Sequence, residues 1–560
     1  MTNVRLSLAE LRRSENQLSI LLSIVVGALV GLVIVAFILL TGRLSAGMYP
    51  AGGAGWRRIL VPTLGSLITG WLLWRFFPSA RGSGIPQTKA ALVINDGKIS
   101  FKTVAGKFLC CSASLASGVA LGREGPSVQV GAGLASVLAR AAGLSKEQVK
   151  ALVPIGCSAA LAAAFNTPIA AVLFTLEEII GDLHATVLGT AVLASATSWI
   201  VLHLVLGDEP LFHVAGYHLQ NMLELGIYGL LGVVGGLGSV VFIKLLLQIR
   251  LRFARLPKTT IWLQPAVGGL TVGLIGYFVP DVMGVGYNYV EKVLNGDVVV
   301  KTVVLLGVLK IIATATCYSS GNAGGIFGPS LFIGAMMGAS VGGVAHHFFP
   351  ASTAGPGAYA LVGMGTAFAG IVRTPLTSVI MIFEVTRDYT IIVPLMISNL
   401  IAYYISHRLQ PEPIYEALAH QDGIHLPTTD ARLQSARAIV DSVMRDAAEA
   451  FSVNTPVDTA VARMKSESLD AWPVVDERGL IGMVRLEEME NAAAGQRISD
   501  VFATGPALKH LHPDDSLHLA LERLGSSGLR VIPVVSRADE RELLGIAVVD
   551  DIFAAYGVGR

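Results

Sequence analysis

The sequence predicts an all-α polytopic membrane protein that ends in a small soluble α/β region. Of its 560 residues, 53% are hydrophobic and only 14% are charged, whereas roughly 25% of residues are charged in soluble domains. Apolar segments follow one another up to about Ser406, and breaks rich in glycine and proline interrupt them. Short, interrupted apolar segments indicate broken or tilted helices around a binding site inside the membrane.

Fourteen apolar segments account for the expected helices. Several are shorter than the ~20 residues that a perpendicular span requires. The first is too long for the apolar core of a signal peptide, so we interpret it as the first span. The segments cover approximately residues 18–40, 59–77, 105–121, 127–143, 148–165, 169–181, 186–206, 223–248, 262–279, 302–317, 326–347, 357–372, 375–385 and 390–406.

Three short breaks within this apolar sequence each combine flexible glycines with a proline. They are Gly82–Pro86, Gly122–Pro126 and Gly325–Pro329. Proline is tolerated in the first turn of a helix, where its missing N–H has no helical partner to lose. A helix that begins at each break would direct unpaired N–H groups and the positive end of its dipole into the membrane interior. Converging N-termini would bind an anion through partial charges, with no full positive charge needed.

The membrane region contains two similar halves. Residues 156–169 resemble residues 363–376, and the prolines of these two segments lie 207 residues apart. Pro126 and Pro329 lie 203 residues apart. Two landmarks in the same order, with nearly the same spacing, indicate a duplicated half of roughly two hundred residues. The spacing does not reveal whether the halves are inverted.

The composition changes after the last apolar segment. We assign residues 1–407 to a transmembrane domain, 408–440 to a polar linker with a short helix, and 441–560 to a soluble tail. The tail repeats itself at an interval of 60 residues, with copies at about 441–495 and 498–557. Each copy contains a segment of helical period, two apolar strands and a closing helix.

Several polar side chains inside the apolar region are candidates for chemistry. Ser83 is either a helix cap or a hydroxyl donor to a partly dehydrated anion. Glu124 precedes a helix start, where an ionised carboxylate competes with an anion for the same positive backbone end. Glu177 and Glu178 form an acidic pair near bilayer depth, which is costly and therefore suggests function, although capping is the expected role of Glu177. Glu384 has the corresponding place in the second half, and we interpret it as structural.

These motifs resemble those of the CLC family of chloride channels and proton-coupled chloride transporters, over about residues 20–420. The resemblance rests on Gly-Ser-Gly-Ile-Pro around Ser83, Gly-Arg-Glu-Gly-Pro around Glu124 and Gly-Ile-Phe-Gly-Pro around Phe327. It implies two inverted halves and a homodimer with one pore in each subunit. Serine at position 83 implies a preference for chloride, because proline at this place accompanies nitrate preference and the fluoride-exporting branch lacks the serine.

The resemblance also implies a role for each of six site residues. Glu178 has the place of the inner proton-transfer glutamate of the exchangers, where family channels usually carry an uncharged residue. Tyr415 matches the tyrosine whose hydroxyl meets the central anion, although a lone tyrosine after a span is usually an interfacial residue. The implied roles are gating and external proton transfer for Glu124, internal proton transfer for Glu178, and anion binding for Ser83, Ile326, Phe327 and Tyr415, with the backbone N–H groups serving in Ile326 and Phe327.

The tail resembles a tandem pair of CBS domains. Such pairs often bind adenine nucleotides through a Gly-apolar-apolar-Ser/Thr-x-x-Asp stretch. The second copy keeps the aspartate as Asp551 but has Val548 where the hydroxyl is expected, and the first copy has Arg485 and Glu488 at the equivalent places. Two hypotheses for the tail are therefore equally supported. In one, Asp551 contacts a nucleotide; in the other, the tail is structural or stabilises a dimer.

Other classes of function find little support. The net charge of +1 and the lack of basic runs give no indication of a nucleic-acid partner. The sequence has no His-Glu-x-x-His, no Walker loop and no Cys-x-x-Cys, so neither an enzyme nor a metal site is expected. We interpret four cysteines as small core residues and two tail histidines as solvated: Cys110, Cys111, Cys157 and Cys317, and His510 and His512.

The sequence thus predicts a secondary active antiporter that exchanges chloride for protons and requires no cofactor. We expect a multi-pass protein of a prokaryotic plasma membrane, with its N-terminus and its CBS tail in the cytosol. One alternative is a passive chloride channel gated by voltage or pH. Another, from a different class, is a membrane sensor that signals through its CBS tail.

Overall fold

The computed structural model describes most of the chain as two compact units, Met1–Leu426 and Pro427–Arg560. Linker residues 425–437 and residues 556–557 of the second tail copy lie outside the described part. The described residues are 15–50, 52–183, 186–208, 210–214, 216–217, 219–296, 299–424, 438–446, 450–467, 469–493, 495–502 and 509–555.

Helices build the described part of the first unit, and one lies on each of the fourteen apolar segments. The expected all-α fold is therefore confirmed. A membrane offers no hydrogen-bond partners to the backbone, so spanning segments satisfy their own N–H and C=O groups. The helices are α1 Glu15–Met48, α2 Arg57–Arg75, α3 Ile85–Ile94, α4 Phe101–Ala116, α5 Glu124–Ala141, α6 Lys146–Phe165, α7 Pro168–Phe174, α8 Leu188–Leu206, α9 Glu224–Ala254, α10 Gln264–Phe278, α11 Tyr287–Leu294, α12 Val300–Ser319, α13 Phe327–Phe348, α14 Pro356–Val372, α15 Pro375–Thr386, α16 Ile392–Leu409 and α17 Ile414–Gln421.

The helices differ widely in length. Six of those described, namely α1, α6, α8, α9, α12 and α13, are long and apolar enough to cross a membrane. By contrast, α3 and α11 have 10 and 8 residues. Each begins directly after a glycine with positive φ, Gly84 at 104° and Gly286 at 88°. These two short helices are equivalent in the two halves, and both start at a sharp backbone turn that only glycine adopts readily.

Equivalent residues of the two halves meet at the centre of the unit. Gly122 and Gly325, which lie 203 residues apart, exchange two backbone hydrogen bonds of 2.7 Å in an isolated antiparallel bridge. The chain therefore runs in opposite directions through the two equivalent breaks, as expected for inverted halves. The residues that end α6 and α14 also adopt the same left-handed conformation, with φ of 62° at Asn166 and 67° at Arg373.

Helix α17 belongs to the first unit although its sequence lies in the segment that we assigned to a linker. The first unit extends to Leu426, and the first six residues of α17, Ile414 to Ala419, are buried. Helix α17 packs against α3, α9 and α14. The part of the linker that carries Tyr415 is thus folded into the helical unit.

The tail unit contains two similar three-stranded sheets. In one, β2 (Phe451–Ser452), β3 (Ala471–Asp476) and β4 (Gly479–Arg485) lie side by side; in the other, the order is β1 (Arg445–Asp446), β6 (Leu543–Val548) and β5 (Val531–Val535). Both hairpins have a register shift at the equivalent place, between Val474 and Val475 and between Val534 and Val535. The helices are α18 Val457–Ser466, α19 Leu486–Glu490, α20 Ile498–Val501, α21 Leu517–Ser527 and α22 Val549–Ala555.

The two tail copies are interleaved. Strand β1 lies at the start of the first copy in sequence but pairs antiparallel with β6 of the second, placing Arg445 opposite Ile546. Val440, just before β1, is buried in the core of the second copy with Leu511 and Leu517. The second copy therefore depends on residues at the start of the first.

Candidate functional site

The three glycine–proline breaks lie against one another. A Cβ atom on Gly125 would meet the carbonyl oxygen of Ser83 at 2.8 Å and the Cα atom of Gly325 at 3.5 Å. A Cβ atom on Gly84 would meet the carbonyl oxygen of Gly125 at 2.6 Å. Any larger residue would push the breaks apart, so these glycines allow the N-termini of α3, α5 and α13 to converge. The convergence expected from the sequence is present.

Glu124 is the first residue of α5, and its side chain reaches the N-terminus of α13, the equivalent helix in the second half. Its Oε2 atom accepts a hydrogen bond of 3.2 Å from the backbone N–H of Gly328, in the first turn of α13. Its Oε1 atom accepts a hydrogen bond of 2.6 Å from the hydroxyl of Tyr287, the first residue of α11. The Glu124 side chain is completely buried. A carboxylate thus occupies the backbone donor that an anion would use.

Two hydroxyls in this region are buried and have no hydrogen-bond partner within the described residues. They are the Oγ atom of Ser83 and the phenol of Tyr415. Tyr318 lies beside Ser83. Other buried side chains in the first unit also lack a hydrogen-bond partner within the described residues. The Ser83 hydroxyl is of interest because it lies at the converging breaks. Buried donors of this kind require a partner, and an anion would supply one.

Ile326 and Phe327 are both completely or almost completely buried. The ring of Phe327 packs against Phe165, Phe174 and Phe368, with ring centroids 4.6, 5.5 and 4.3 Å apart. This aromatic packing fixes the start of α13. Because the first N–H groups of a helix have no partner within it, the fixed backbone presents donors toward the breaks.

Glu178 lies in a buried cluster with Lys89 and Glu416. The Nζ atom of Lys89 lies 2.8 Å from Oε1 of Glu178 and 3.6 Å from Oε1 of Glu416. The three residues are only 6%, 6% and 7% exposed. Glu178 belongs to a π-helical turn, Thr175–Ile180, that continues α7; such turns are rare and frequently occur at functional sites.

Glu177, the other member of the acidic pair, has a different environment. Its Oε2 atom accepts hydrogen bonds from the backbone N–H and the hydroxyl of Thr377, at 2.9 and 2.7 Å. Thr377 lies in the first turn of α15, so Glu177 satisfies backbone donors at a helix N-terminus. The two adjacent glutamates therefore have different roles in the fold: Glu177 caps a helix, and Glu178 belongs to the buried cluster.

Two buried lysines flank the breaks, and the sequence analysis did not foresee them. The Nζ atom of Lys107 donates a hydrogen bond of 2.8 Å to the carbonyl of Gly82. The Nζ atom of Lys310, 203 residues later, donates to the carbonyls of Val282 and Gly284 at 2.9 and 2.6 Å. Each ammonium group holds the turn that precedes α3 or α11. The region thus contains two buried lysine side chains in addition to the helix N-termini.

A cavity of about 490 Å³ opens beside the Ser83 turn. Its walls include Gly82, Pro86 and Gln87 from the turn and α3, and the basic residues Arg81, Arg250 and Lys258. Arg250 forms an ion pair of 2.5 Å with Asp422, also in the wall. A concave surface with more basic than acidic groups concentrates anions, and this cavity lies beside the turn that contains Ser83.

Three further residues of the site were not predicted from the sequence. Lys89 and Glu416 gave a usable signal, because a charged residue next to a buried anion-site motif is a functional candidate by default. Lys89 follows the Ser83 motif and Glu416 follows Tyr415. Tyr287 gave no such signal, since it lies outside the fourteen apolar segments and 163 residues from its partner Glu124.

In the tail, Asp551 is bound by an arginine. Its two carboxylate oxygens accept hydrogen bonds from Nε and Nη2 of Arg445, at 2.7 and 3.2 Å. A ribose-binding aspartate needs an oxygen atom for the hydroxyls of the sugar, and Val548 offers no hydroxyl. Adenine-nucleotide binding at Asp551 therefore stays a prediction, and the Arg445–Asp551 pair joins β1 to the closing helix of the second copy.

Comparisons with known proteins agree with these features. Residues 64–407 match a protein family described as "Voltage gated chloride channel", and residues 440–495 and 498–557 each match the CBS domain. The chain is 34% identical over 381 residues to "Putative chloride channel protein ClcB-like" of Ralstonia nicotianae, covering 66% of this chain and 88% of that protein. It is 33% identical over 360 residues to "H(+)/Cl(-) exchange transporter ClcA" of Vibrio cholerae, covering 63% and 76%.

Solved structures resemble the fold. A slow cyanobacterial Cl⁻/H⁺ antiporter superimposes with a TM-score of 0.67 at 26% identity, covering 72% of this chain and 97% of that one. A eukaryotic CLC transporter superimposes with a TM-score of 0.63 at 21% identity, covering 95% and 97%. The second likeness extends over nearly the whole chain, and at this identity it concerns the fold alone.

Proposed function

The chain belongs to the voltage-gated chloride channel (CLC) family, with two CBS domains at its C-terminus, and we propose that it exchanges chloride for protons. It is an integral, multi-pass membrane protein. The observation that carries the proposal is the pair of buried carboxylates, Glu124 and Glu178, near Tyr415. The hydroxyls of Tyr415 and Ser83 have no hydrogen-bond partner among the residues that the structure describes. An exchanger needs an anion site and ionisable groups that reach it, and these residues supply both.

Glu124 would act as the gate. When it is ionised, its carboxylate accepts hydrogen bonds from Gly328 and Tyr287 and competes with chloride for positive potential at the N-terminus of α13. Protonation removes that competition, because a neutral carboxyl group is a poor partner for a helix N-terminus. Chloride can then bind through the Ser83 and Tyr415 hydroxyls and the backbone N–H groups of Ile326 and Phe327. Proton binding at Glu124 and anion binding would thereby become linked.

Glu178 would carry protons on the inner side of the site. It lies in the cluster with Glu416, the residue after Tyr415, so it is placed near the anion ligand but is not part of the anion site. An ionisable residue at this depth is expensive and is retained where it serves a proton path. This separation lets protons and chloride take different routes over part of the way.

A passive chloride channel remains the second candidate, and two observations favour it. The ion pair of 2.8 Å between Lys89 and Glu178 stabilises the ionised carboxylate and so opposes proton uptake. A curated relative also carries the name of a chloride channel protein. In a channel, Glu124 would open and close the path without moving protons through the protein.

Proton pumping against a gradient separates the two candidates. The purified protein would be reconstituted into liposomes with a chloride gradient and no proton gradient, and the internal pH would be followed. We expect chloride flux to drive protons uphill. Chloride flux without proton movement would overturn the exchanger in favour of the channel. Absence of any anion flux, together with ligand binding to the tail, would favour the membrane sensor.

The assembly and orientation follow from the family. We propose a homodimer with one pore in each subunit, in a prokaryotic plasma membrane, with the N-terminus and the CBS tail in the cytosol. The bacterial relatives support the choice of membrane. Light scattering of the detergent-solubilised protein would give the subunit number, and protease access to the tail in oriented vesicles would give the topology.

A further inference from the structure

Lys310, on α12, is completely buried and holds one turn of the backbone. Its Nζ atom donates hydrogen bonds to the carbonyls of Val282 and Gly284, at 2.9 and 2.6 Å. The same atom lies 4.7 Å from the centroid of the Phe332 ring, on α13. An amine donates N–H groups in either protonation state, so these bonds hold the turn whether or not Lys310 carries a charge.

The turn that Lys310 holds leads directly into α11 and is closely packed. The N–H of Gly284 donates a hydrogen bond of 2.9 Å to the carbonyl of Gly118. Gly284 and Gly286 have φ of 60° and 88°, a conformation that only glycine adopts readily. A Cβ atom on Gly286 would meet the Phe332 ring at 2.6 Å and Nζ of Lys310 at 3.4 Å. The turn is therefore fixed by contacts with Lys310 and Phe332.

Both hydrogen bonds that Glu124 accepts come from residues in contact with this turn. Tyr287 follows Gly286 directly, and its hydroxyl donates to Oε1 of Glu124 at 2.6 Å. The N–H of Gly328 donates to Oε2 at 3.2 Å. A Cβ atom on Gly328 would meet Cγ1 of Val285 at 2.7 Å and the Tyr287 hydroxyl at 3.0 Å, so Gly328 packs against the turn. Neither donor is among the proposed chloride ligands.

We propose that Lys310 is a positioning residue for the gate, because the turn that it fixes keeps both donors in place for the Glu124 carboxylate. This role rests on the proposed function of Glu124 as a gate that competes with chloride. Without Lys310 the site holds the ionised carboxylate less tightly, and chloride displaces it more readily. A protonated Glu124 does not compete, so the contribution of Lys310 to chloride binding vanishes at low pH.

Other titratable groups face Lys310 or Glu124, and they come from several elements. They are Cys317 beside Lys310, and Arg123, Tyr287, Cys111 and Tyr415 beside Glu124. Asp281, next to Val282, is exposed. A substitution of Lys310 leaves all of these groups in the chain, so a change that depends on both pH and Glu124 reports how tightly the carboxylate is held.

Calorimetric titration of the full chain with chloride, in detergent, tests this role without relying on transport. Lys310→Met removes the N–H donors and keeps an unbranched apolar side chain. We expect it to bind chloride on the order of fivefold more tightly than the wild type at high pH, and equally at low pH. The control Lys301→Met, an exposed change on the same helix, should bind chloride as the wild type does.

A second background separates positioning of the gate from a general structural role. In Glu124→Gln no carboxylate competes with chloride, so adding Lys310→Met should leave chloride binding unchanged at either pH. Unchanged or weaker binding in the single variant at high pH would overturn the proposal. A change of equal size at both pH values, or one that persists in the Glu124→Gln background, would also overturn it.

Lys310→Gln decides the question if Lys310→Met does not fold. Its amide nitrogen lies one bond closer to the backbone, so it cannot keep both hydrogen bonds at their present lengths. It should tighten chloride binding at high pH alone, and an unchanged affinity would overturn the proposal.

Proton transport in liposomes distinguishes a failure of this proposal from a failure of the exchanger. If Lys310→Met tightens chloride binding only at high pH while the wild type moves chloride without protons, the exchanger fails and the role of Lys310 stands. If the wild type drives protons uphill while Lys310→Met binds chloride as the wild type does, the exchanger stands and the role of Lys310 fails.

Discussion

Glu177 and Glu384 each cap a helix of the opposite half of the membrane unit. Glu177 accepts hydrogen bonds from Thr377 at the start of α15, and Glu384 accepts hydrogen bonds of 2.9 and 2.6 Å from the N–H groups of Ile169 and Ala170 at the start of α7. The two glutamates lie 207 residues apart, the same separation as the prolines that begin these helices. The halves are thus joined by a reciprocal exchange of caps.

Removing either cap should destabilise the protein by a similar amount. For Glu177→Ala and Glu384→Ala we expect a loss of about 1–2 kcal/mol each, because helix N-terminal donors lose their acceptor. Thermal unfolding in detergent measures the loss as a lower Tm. The variants with glutamine should lose less, since the amide oxygen still accepts. A large effect at one position and none at the other would contradict the equivalence.

Glu178→Gln should separate chloride transport from proton transport. The variant removes the ionisable group but keeps its size, so chloride flux should continue while chloride no longer drives protons uphill. Internal pH and chloride efflux recorded on the same liposomes provide the measurement. The neighbouring Glu177→Gln is the matched control, because it alters a cap outside the cluster, and it should remain coupled. Coupled transport in Glu178→Gln would show that the proton path lies elsewhere.

Glu124→Gln should mimic the protonated gate at every pH. Glutamine keeps an acceptor for Tyr287 but carries no charge to compete with chloride, so anion flux should lose its dependence on pH and its coupling to protons. Chloride flux measured between about pH 4.5 and about pH 7.5, in steps of roughly one pH unit, would reveal the flat profile. Exchange that still varies with pH and still moves protons would count against Glu124 as the gate.

Tyr287→Phe should loosen the closed gate. A hydrogen bond to a charged group contributes about 1.5–3 kcal/mol, and this change deletes only the hydroxyl that donates to the Glu124 carboxylate. Chloride should therefore displace Glu124 more easily at high pH, where the carboxylate is ionised, and flux should rise there. At low pH, where the carboxyl is protonated, the variant and the wild type should converge. Tyr289→Phe on the same helix is the control, and equal pH profiles for all three proteins would refute the role.

Ser83→Pro should change the selectivity among anions. The proline removes the hydroxyl that would donate to chloride and also one backbone donor in the turn. We expect nitrate flux to rise several-fold relative to chloride flux, as the family resemblance implies for proline at this position. Competition between the two anions in liposome efflux measures the ratio. An unchanged ratio would mean that Ser83 does not contact the anion.

Some features of the fold could be predicted because they depend on short stretches of sequence. Every apolar segment became a helix, since a membrane leaves the backbone no other partner. The spacing of the prolines indicated two similar halves, and the glycines of the three breaks indicated that the backbones approach closely. Ser83 and Glu124 lie at this approach because each stands directly beside one of its glycines.

Other features depend on contacts between distant residues, which spacing does not reveal. Lys89 meets Glu178 across 89 positions and Tyr287 meets Glu124 across 163. Helix α11 was not predicted because it has only eight residues and lies between two of the apolar segments. The lysines Lys107 and Lys310 lie in apolar segments. Each donates a hydrogen bond to a turn that lies about 25 residues earlier in the sequence, at Gly82 and at Val282, and only the folded structure brings each turn to its lysine.

The short strand β1 has a consequence for how the tail can be divided. Because Arg445 and Asp446 complete the sheet of the second CBS copy, a cut at the apparent boundary near residue 497 would deprive that copy of its edge strand and of Arg445, the partner of Asp551. Neither copy could then be lost, exchanged or expressed alone without damage to the other. Evolutionary rearrangement of the tail would have to inherit the two copies as one indivisible piece, together with the residues that lead into it.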